Sequence, residues 1–429
     1  MLTNDASLGT NNSTFEVAAA TTSVLLGALL LRFVWSSRRF SHLPQPPPSS
    51  FLFGHAFDAL GSVANWKTSG NYPEPFLSWI QKYGGAIYYR TIFNHNVLLS
   101  YPVALQHVLV SNAANFPRED VSRSFFRDIV LGDGLFSAEG KQHDQYRKLL
   151  NPLFTTSKIK TFIKTFHRQT QIYCQNILEP ACNNLEPVNF ANVSHPWCLL
   201  ISLAIVFTRL TLSIVGLTVL GFNFDENPSA IEAYEQSMIQ MSPLMMVGSY
   251  VIPGFTSFPL PTLLKRRKAQ YTLKKILMQI IQDKLAASSS DHPKHLLDMI
   301  LTNSSTEEAV SRTVTFMLAG HDTISNTLSF VFGMLVLHPD VVAAVRAEYS
   351  RVALKHGSLT TWEAVSELQY TYAVIQETLR LNAVAIAILA RTSVADDHIP
   401  MVDGSTVFIP KGTIMQVNFG AVNRNPTYW

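Results

Sequence analysis

The strongest hydrophobic pattern in the sequence is an apolar run over residues 17–35, interrupted only by Thr, Ser, Gly and the late Arg32. At the rise of an α-helix this run is roughly 28 Å long, about the hydrocarbon thickness of a bilayer. Asp5 and Glu16 precede the run and Arg38 follows it, whereas a cleaved signal peptide carries its basic residues before the apolar run. The pattern therefore predicts an uncleaved transmembrane helix over residues 17–35, with a cleaved signal peptide as the alternative.

The charges on either side of the run predict its orientation. Because basic residues gather on the cytosolic side of a span, residues 1–16 are expected to form a luminal tail. Asn12, in the sequon Asn12-Ser13-Thr14, would then be a luminal glycosylation site. Residues 36–50 form a basic and proline-rich linker, in which consecutive prolines favour a stiff, extended chain. We expect a single-pass protein of the endoplasmic reticulum membrane whose main domain, residues 51–429, faces the cytosol.

A second pattern predicts one long helix in the last third of the chain. Ser305 and Glu308 have the spacing of a capping box, which marks a helix start. Apolar residues then continue for about thirty positions, until His338-Pro339, where the proline ends the pattern. Such a helix is long enough to cross a whole domain.

The middle of this helix carries a polar cluster over residues 319–325, where a core helix is normally apolar. Gly320 lowers helix stability by about 1 kcal/mol relative to alanine, and the carboxylate of Asp322 and the hydroxyl of Thr323 need partners when they are buried. The cluster is a candidate site, and a kinked core helix with satisfied polar groups is the alternative.

A shorter amphipathic helix is predicted from Tyr370 to Leu381. Glu377 and Arg380 lie three positions apart in it, so they share a helix face and can pair. After Arg391, the apolar residues Val394, Val407 and Ile409 stand among turn residues, a pattern that predicts short strands.

Composition narrows the function classes. Of the 429 residues, 47% are hydrophobic and 15% are charged, which is enough apolar material for a deep core or a cavity for an apolar ligand. The net charge is +3 and the basic residues are scattered, which argues against a nucleic-acid partner. The cysteines, at positions 174, 182 and 198, have neither zinc-ligand spacing nor the density of a disulfide scaffold, as expected of a domain in the reducing cytosol.

Four motifs in this order resemble the cytochrome P450 superfamily. They are Ala-Gly-His-Asp-Thr-Ile-Ser at 319–325, Glu-Thr-Leu-Arg-Leu at 377–381, Pro-Lys-Gly-Thr at 410–413 and Asn-Arg-Asn-Pro-x-Tyr-Trp at 423–429. Residues 140–147 also resemble the family's helix over one heme face. The resemblance covers nearly everything from about residue 40 onward. It implies a mainly α-helical fold with a small β-rich part. The transmembrane helix predicted at residues 17–35 would precede this domain.

The resemblance assigns the oxygen side of the heme to the long helix. Thr323 would hold a water or the bound dioxygen, and Asp322 would feed protons through a positioned network, as in general acid catalysis. Gly320 would let the helix open beside the iron. A complete enzyme of this family would insert one oxygen atom into an apolar small molecule, such as one of secondary metabolism, with electrons from a membrane-bound NADPH reductase.

The resemblance also implies which residues hold heme b. Arg147 and Arg391 would contact the propionates, because a fork of N–H donors suits a carboxylate. His143, at a position where the family usually has Trp, could do the same. Glu377 and Arg380 would stabilise the core on the opposite face.

In this family the iron is ligated by the cysteine of a Phe-x-x-Gly-x-Arg-x-Cys-x-Gly loop. Residues 1–429 contain no such loop. The thiolate ligand matters because it favours O–O cleavage. None of the three cysteines lies in a sequence that resembles this loop. We therefore expect a C-terminally incomplete domain that binds no thiolate-ligated heme and is inactive. The alternatives are a non-catalytic relic or interaction protein, and a faulty gene prediction of an active monooxygenase.

Residues 193–208 match nothing that the resemblance leads us to expect, and two interpretations remain open for them. They are an insertion translated from a retained intron, or part of a longer buried helix. The surrounding apolar stretch, residues 198–221, could also be a second span, which would make the protein polytopic; Arg209 near its middle argues against this because an arginine in hydrocarbon costs about 2.5 kcal/mol or more.

Overall fold

The computed structural model describes residues 36–59, 73–180, 207–238, 254–287, 296–301, 304–385 and 390–429, together with 244–245, 248–249 and 252. The chain divides into two compact units. Of the described residues, the first unit contains 36–59, 74–116 and 391–418, and the second contains 73, 419–429 and those that lie between 117 and 390. The fold is mainly α-helical with a small β-rich part, as the sequence predicted.

The first unit contains the strands. A four-stranded sheet has the order β1-β2-β6-β3, in which β2 runs parallel to β6 and the other pairs are antiparallel. A separate hairpin pairs β4 with β5. The strands are β1 (Ala86–Thr91), β2 (Asn94–Leu99), β3 (Arg391–Thr392), β4 (Asp397–Pro400), β5 (Thr406–Ile409) and β6 (Ile414–Gln416). The predicted short strands are therefore confirmed, although Val394 lies between strands and bonds through its N–H to the carbonyl of Asn115.

Two helices, α1 (Phe76–Tyr83) and α2 (Pro102–Gln106), accompany this sheet, and α2 continues as a π turn over His107–Ser111. The linker residues Phe40 and Leu43 are buried with the sheet residues in one apolar cluster. The Asp397 carboxylate fastens the π turn to β4, because it accepts hydrogen bonds from His107 and Asn112, both at 2.9 Å. The linker therefore begins to pack against the domain well before β1.

The second unit is built from helices. They are α3 (Asp120–Ile129), α4 (Gly140–Leu150), α5 (Thr156–Tyr173), α6 (Phe207–Leu220), α7 (Pro228–Ser237), α8 (Pro261–Ala287), α9 (Leu296–Leu301), α10 (Thr306–Leu337), α11 (Pro339–His356), α12 (Trp362–Ser366), α13 (Gln369–Leu381) and α14 (Phe419–Val422). The capping box predicted for the start of α10 is confirmed, since Ser305 and Glu308 each accept from the other's backbone N–H. The helix ends at Leu337, directly before His338-Pro339, also as predicted.

The core of this unit forms around the first half of α10. Val310, Val314 and Met317 are fully buried there and belong to a cluster that includes Leu277 of α8 and Leu212 of α6. From Ala309 to Thr315 even the polar residues are buried, so the helix is covered all round there. The second half of α10 is covered only in part, and side chains that include Thr323, Ile324 and Phe332 are open to solvent.

Within the described residues, no single helix has both the length and the apolar composition that a bilayer crossing requires. Helices α10 and α11 meet the two requirements only as a pair, and the pair is bent by 114°. The predicted anchor at 17–35 and the sequon at Asn12 lie outside the described residues, as does the segment 193–206. Of the second apolar stretch, the structure describes α6, which is one of the shorter apolar helices and leaves Arg209 exposed.

Candidate active site

The polar cluster of α10 is organised around a buried histidine. His321 is 4% exposed, and its Nδ1 lies 2.8 Å from Oδ1 of Asp322. The hydroxyl of Tyr234, on α7, lies 3.3 Å from the same nitrogen, and the two rings meet edge to face. The imidazole is thus shared between a carboxylate and a phenol, an arrangement that fixes its orientation.

Tyr234 takes part in this network as a neutral phenol. Burial, and then the charge of Asp322, raises the pKa of the Tyr234 phenol well above its ordinary value. Thr211 of α6 also lies beside this residue, since its hydroxyl is 2.8 Å from the carbonyl of Phe207 and 3.4 Å from that of His321. Sequence reasoning placed neither His321 nor Tyr234 among the site residues. A histidine inside an apolar helix was a signal for the first, and nothing in the sequence pointed to the second.

Asp322 and Thr323 both reach the open face of α10. The Asp322 side chain is 43% exposed and Thr323 is exposed. The Thr323 hydroxyl donates to the carbonyl of Ala319 at 2.6 Å, so its oxygen lone pairs are left to accept from a group outside the helix. Ile324 beside it is 49% exposed. A carboxylate, a hydroxyl and an apolar side chain therefore stand together on one accessible stretch of helix.

Gly320 has a packing role in this structure. A Cβ at this position would lie 3.0 Å from Cγ2 of Val215 on α6, closer than ordinary van der Waals contact. Glycine therefore allows α6 to approach α10 at this point. The helix is continuous from Thr306 to Leu337 on both sides of it.

The two basic candidates His143 and Arg147 lie on α4, which the sequence correctly predicted as a helix. The His143 side chain is 31% exposed and faces Asp144 at 3.6 Å, and Arg147 is exposed in the last turn. Helix α4 contacts α10, because the guanidinium of Arg312 lies over the ring of Tyr146 at 5.1 Å. Since Arg312 and Thr323 are eleven positions apart, this contact lies roughly 16 Å along the helix from the polar cluster.

Arg391 belongs to the first unit, where it stands at the start of β3 and pairs in register with Met415 of β6. It is half-buried. Ala390, at the boundary of the units, accepts a hydrogen bond from the N–H of Glu119.

Glu377 and Arg380 are joined on α13 by two hydrogen bonds. Nε of Arg380 lies 2.7 Å from Oε2 of Glu377, and its Nη2 lies 2.6 Å from Oε1. The remaining arm of the guanidinium donates to the carbonyl of Asn423 at 2.7 Å, and the group stacks over the ring of Trp429. The hydrogen bond from Arg380 lowers the pKa of Glu377. The pair therefore ties α13 to the segment that follows α14.

In the part of the chain that the structure describes, no group of three or more His, Cys, Asp or Glu side chains could hold a metal ion. Cys174 is half-buried at the end of α5. Burial, and then the charge of Glu179, raises the pKa of its thiol, which is the opposite of what an anionic sulfur ligand needs. Cys182 and Cys198 lie outside the described residues.

Comparison with known proteins gives the same family as the motifs. A sequence profile of the cytochrome P450 family matches residues 44–429. The ganoderic acid synthetase of Ganoderma lucidum is 26% identical over 440 residues, which covers 90% of this chain and 76% of that protein. Cytochrome P450 monooxygenase 205 of Postia placenta is 24% identical, with 90% and 74% covered. Leukotriene-B4 omega-hydroxylase 3 of Mus musculus is 23% identical, with 95% and 78% covered. This chain belongs to the cytochrome P450 family.

Proposed function

We propose that this protein has the function of a heme-dependent monooxygenase, which inserts one oxygen atom into an apolar small molecule with electrons from a membrane-bound NADPH reductase. The observation that carries the proposal is the accessible pair Asp322 and Thr323 at the centre of α10. A carboxylate and a hydroxyl thus stand accessible in the middle of a 32-residue helix whose sequence is otherwise largely apolar, where they can act on a bound molecule.

Two features of the described residues support heme b as the cofactor. The open stretch of α10 offers an apolar contact, Ile324, beside polar groups that can face a bound molecule. The guanidinium groups of Arg147 and Arg391, with His143, are donors of the type that carboxylates such as the heme propionates require. When bound, heme would supply the oxygen-activating chemistry, which is the cofactor's own.

The protein's part in the reaction is to position and move protons. We assign Asp322 as the carboxylate that carries protons toward the open face of α10, because solvent reaches one side of it and buried His321 the other. Thr323 accepts a hydrogen bond at that face, since its own proton is engaged by Ala319. Gly320 keeps α6 close to the helix beside these groups. Glu377 and Arg380 have a structural task on α13.

The substrate class follows from composition and from the relatives. The chain is 47% hydrophobic, and two relatives are named for ganoderic acid and leukotriene B4. We propose an apolar small molecule of the kind found in secondary metabolism. We further propose that residues 17–35 anchor the protein in the endoplasmic reticulum membrane with its main domain in the cytosol, and that Asn12 is glycosylated on the luminal side.

Cys174 favours a second candidate function. Burial raises the pKa of its thiol, whereas an iron ligand of this kind is a thiolate, so the second candidate is a non-catalytic relic or interaction protein. A carbon-monoxide difference spectrum of the full chain, expressed with a heme supply, separates the two candidates. A thiolate-type band, together with NADPH-dependent product, supports the monooxygenase and contradicts the second candidate.

The absence of that band in a folded, membrane-bound chain favours the second candidate for these 429 residues. Sequencing of the message across codons 193–208 and beyond codon 429 then decides what the gene encodes. A message that lacks the insertion and continues into a Phe-x-x-Gly-x-Arg-x-Cys loop supports the monooxygenase. A message that keeps the insertion and stops there contradicts it.

A further inference from the structure

His321 lies on the buried face of α10, and its two ring nitrogens have different surroundings. The residues one turn before and one turn after it, Met317 and Ser325, are buried as well. Its Nδ1 faces Asp322 and Tyr234, whereas its Nε2 is buried and makes no hydrogen bond within the described part of the chain. Any hydrogen bond that the ring makes with these residues therefore depends on Nδ1.

These surroundings indicate where the proton of the ring lies. A proton on Nε2 would be a buried donor without an acceptor among the described residues, so a neutral ring with its proton on Nδ1 fits best. Oδ1 of Asp322, at 2.8 Å, is the nearer acceptor for this proton. The phenol oxygen of Tyr234, at 3.3 Å, is a second and weaker one. His321 thus donates a hydrogen bond to the Asp322 carboxylate.

This hydrogen bond joins two side chains that a helix normally separates. Successive residues of an α-helix point about 100° apart, so neighbouring side chains do not face each other. His321 is 4% exposed and the Asp322 side chain is 43% exposed, because the first lies on the inner face and the second beside it. The bond therefore selects the rotamer of Asp322 that turns toward His321. It fixes one carboxylate oxygen and leaves the other to a group at the open face of α10.

The imidazole ring is itself held in place from α7. Tyr234 is 1% exposed, and its ring meets that of His321 at 5.2 Å between centroids and 87° between planes. The end of α7 is fixed in turn, because the Ser237 hydroxyl donates to the carbonyl of Tyr234 and buried Arg266 of α8 donates to that of Ser237. Side chains packed in this way keep one rotamer, as a group that positions another must do.

We infer that His321 is a positioning residue, which fixes the Asp322 carboxylate at the open face of α10, with Tyr234 as its support. The part that this carboxylate plays in proton transfer rests on the monooxygenase function proposed above, whereas the hydrogen bond and the orientation do not. A histidine that only fills space in the core would leave the orientation of Asp322 unchanged when an apolar ring replaces it.

Solid-state NMR of the full chain tests the inference without the need for activity. The protein is labelled with ¹⁵N at histidine Nδ1 and with ¹³C at the aspartate carboxyl carbons, and it is reconstituted into phosphatidylcholine bilayers. The chain has 13 histidines, so the signal of His321 is obtained as the difference from the spectrum of His321→Phe. We expect a protonated Nδ1 that is strongly dephased by an aspartate carboxyl carbon, and we expect Asp322→Ala to abolish this dephasing.

The opposite results are equally clear. An unprotonated Nδ1 at His321 overturns the inference, because the ring then cannot donate to the carboxylate. Dephasing that is absent, or that Asp322→Ala leaves unchanged, also overturns it. These outcomes hold whether or not the protein forms product.

A second measurement tests the consequence for the reaction, as product formed per NADPH consumed in membranes that contain the reductase. His321→Phe keeps a flat, buried ring without a donor and should lower this yield several-fold. His321→Asn places an amide N–H near the position of Nδ1 and should restore most of the yield. Ser329→Ala is the control, because Ser329 is also buried on α10 and its hydroxyl donates within the helix to the carbonyl of Ser325.

Equal yields from His321→Phe and Ser329→Ala overturn the positioning role. A yield of His321→Asn as low as that of His321→Phe also overturns it, because the donor at this position would then have no effect. If the unaltered protein forms no product, the proposed monooxygenase function fails, and the NMR result alone decides whether His321 fixes the carboxylate.

Discussion

The carboxylate of Glu348 accepts hydrogen bonds from both the backbone N–H and the hydroxyl of Thr371, at 2.8 and 2.7 Å. The residues are 23 positions apart, and the contact places an acid of α11 at the N-terminal turn of α13. Tyr370 donates its N–H to the same carboxylate at 2.8 Å. Glu348 of α11 thus caps the start of α13, because it accepts from N–H groups that have no partner within that helix.

We predict that Glu348→Gln destabilises the protein and removes part of its pH dependence. Burial alone would raise the pKa of Glu348, but the hydrogen bonds from Thr371 and Tyr370 outweigh it and lower the pKa below its ordinary value of 4.5. The stabilisation is therefore present above pH 4.5 and is lost as the pH falls through the lowered pKa. We expect a loss of about 2 kcal/mol at neutral pH.

Urea unfolding at neutral and at acid pH measures this effect. Exposed Glu235, on α7, provides the control variant Glu235→Gln, which should leave the unfolding midpoint unchanged at both pH values. Equal stability of Glu348→Gln and the unaltered protein at neutral pH would show that the cap contributes nothing.

The second prediction concerns Arg266 of α8, which is 4% exposed. Its Nη1 lies 2.7 Å from Oδ2 of Asp128 and its Nε donates to the carbonyl of Ser237, so it joins α3, α7 and α8. Arg266→Ala removes the buried guanidinium, its hydrogen bond to Ser237 and its ion pair with the half-buried Asp128, and the expected loss is about 2 kcal/mol in the free energy of unfolding. The neighbour Arg267 is exposed, and Arg267→Ala should cost less than about 1 kcal/mol.

Thermal unfolding of both arginine variants checks this prediction. A double variant, Arg266→Met with Asp128→Leu, should be more stable than Arg266→Ala, because it leaves no unpaired charge. If Arg266→Ala and Arg267→Ala unfold at the same temperature, the buried ion pair has no structural importance.

A third prediction follows from the guanidinium of Arg380, which makes hydrogen bonds with all three of its nitrogens. Lysine has one ammonium group and cannot bridge Glu377 and the carbonyl of Asn423 in the same geometry. We therefore expect Arg380→Lys to lower the free energy of unfolding by about 2 kcal/mol. Exposed Arg346, on α11, supplies the matched control Arg346→Lys.

Limited proteolysis near the C-terminus is the second measurement on these variants. Arg380→Lys should speed cleavage after α14, since Arg380 holds Asn423 and stacks on Trp429. Cleavage at the rate of the Arg346→Lys control would contradict the tie between α13 and this segment.

The fourth prediction tests the proposed chemistry at Thr323. Thr323→Ala should lower product formation by about tenfold, the effect expected from the loss of one hydrogen bond to the bound molecule. The measurement is product formed in membranes that contain the NADPH reductase and a substrate that the unaltered protein oxidises. Thr327→Ala is a close control, because the Thr327 hydroxyl also donates to the carbonyl four residues before it, at 2.7 Å.

Both threonine variants should unfold at the same temperature, since each loses one bond within α10. Equal product formation by the two variants would remove Thr323 from the proposed mechanism. A loss of product in Thr327→Ala alone would move the reacting face one turn along the helix.

The elements whose causes are local could be predicted from the amino-acid sequence alone. The start of α10 follows from the spacing of Ser305 and Glu308, and its end follows from Pro339. The pairing of Glu377 with Arg380 follows from helix geometry, because residues three apart share a face. The motifs within these helices also identified the family.

Only the tertiary structure decided the partners that are distant in sequence. Tyr234 meets His321 across 87 positions, and Val97 of β2 pairs with Met415 of β6. Gly320 lets α6 approach α10 closely, a contact that the sequence did not indicate. Local patterns express the period of one helix or strand, whereas the choice of a partner depends on how whole elements pack, and packing is a property of the complete set of side chains.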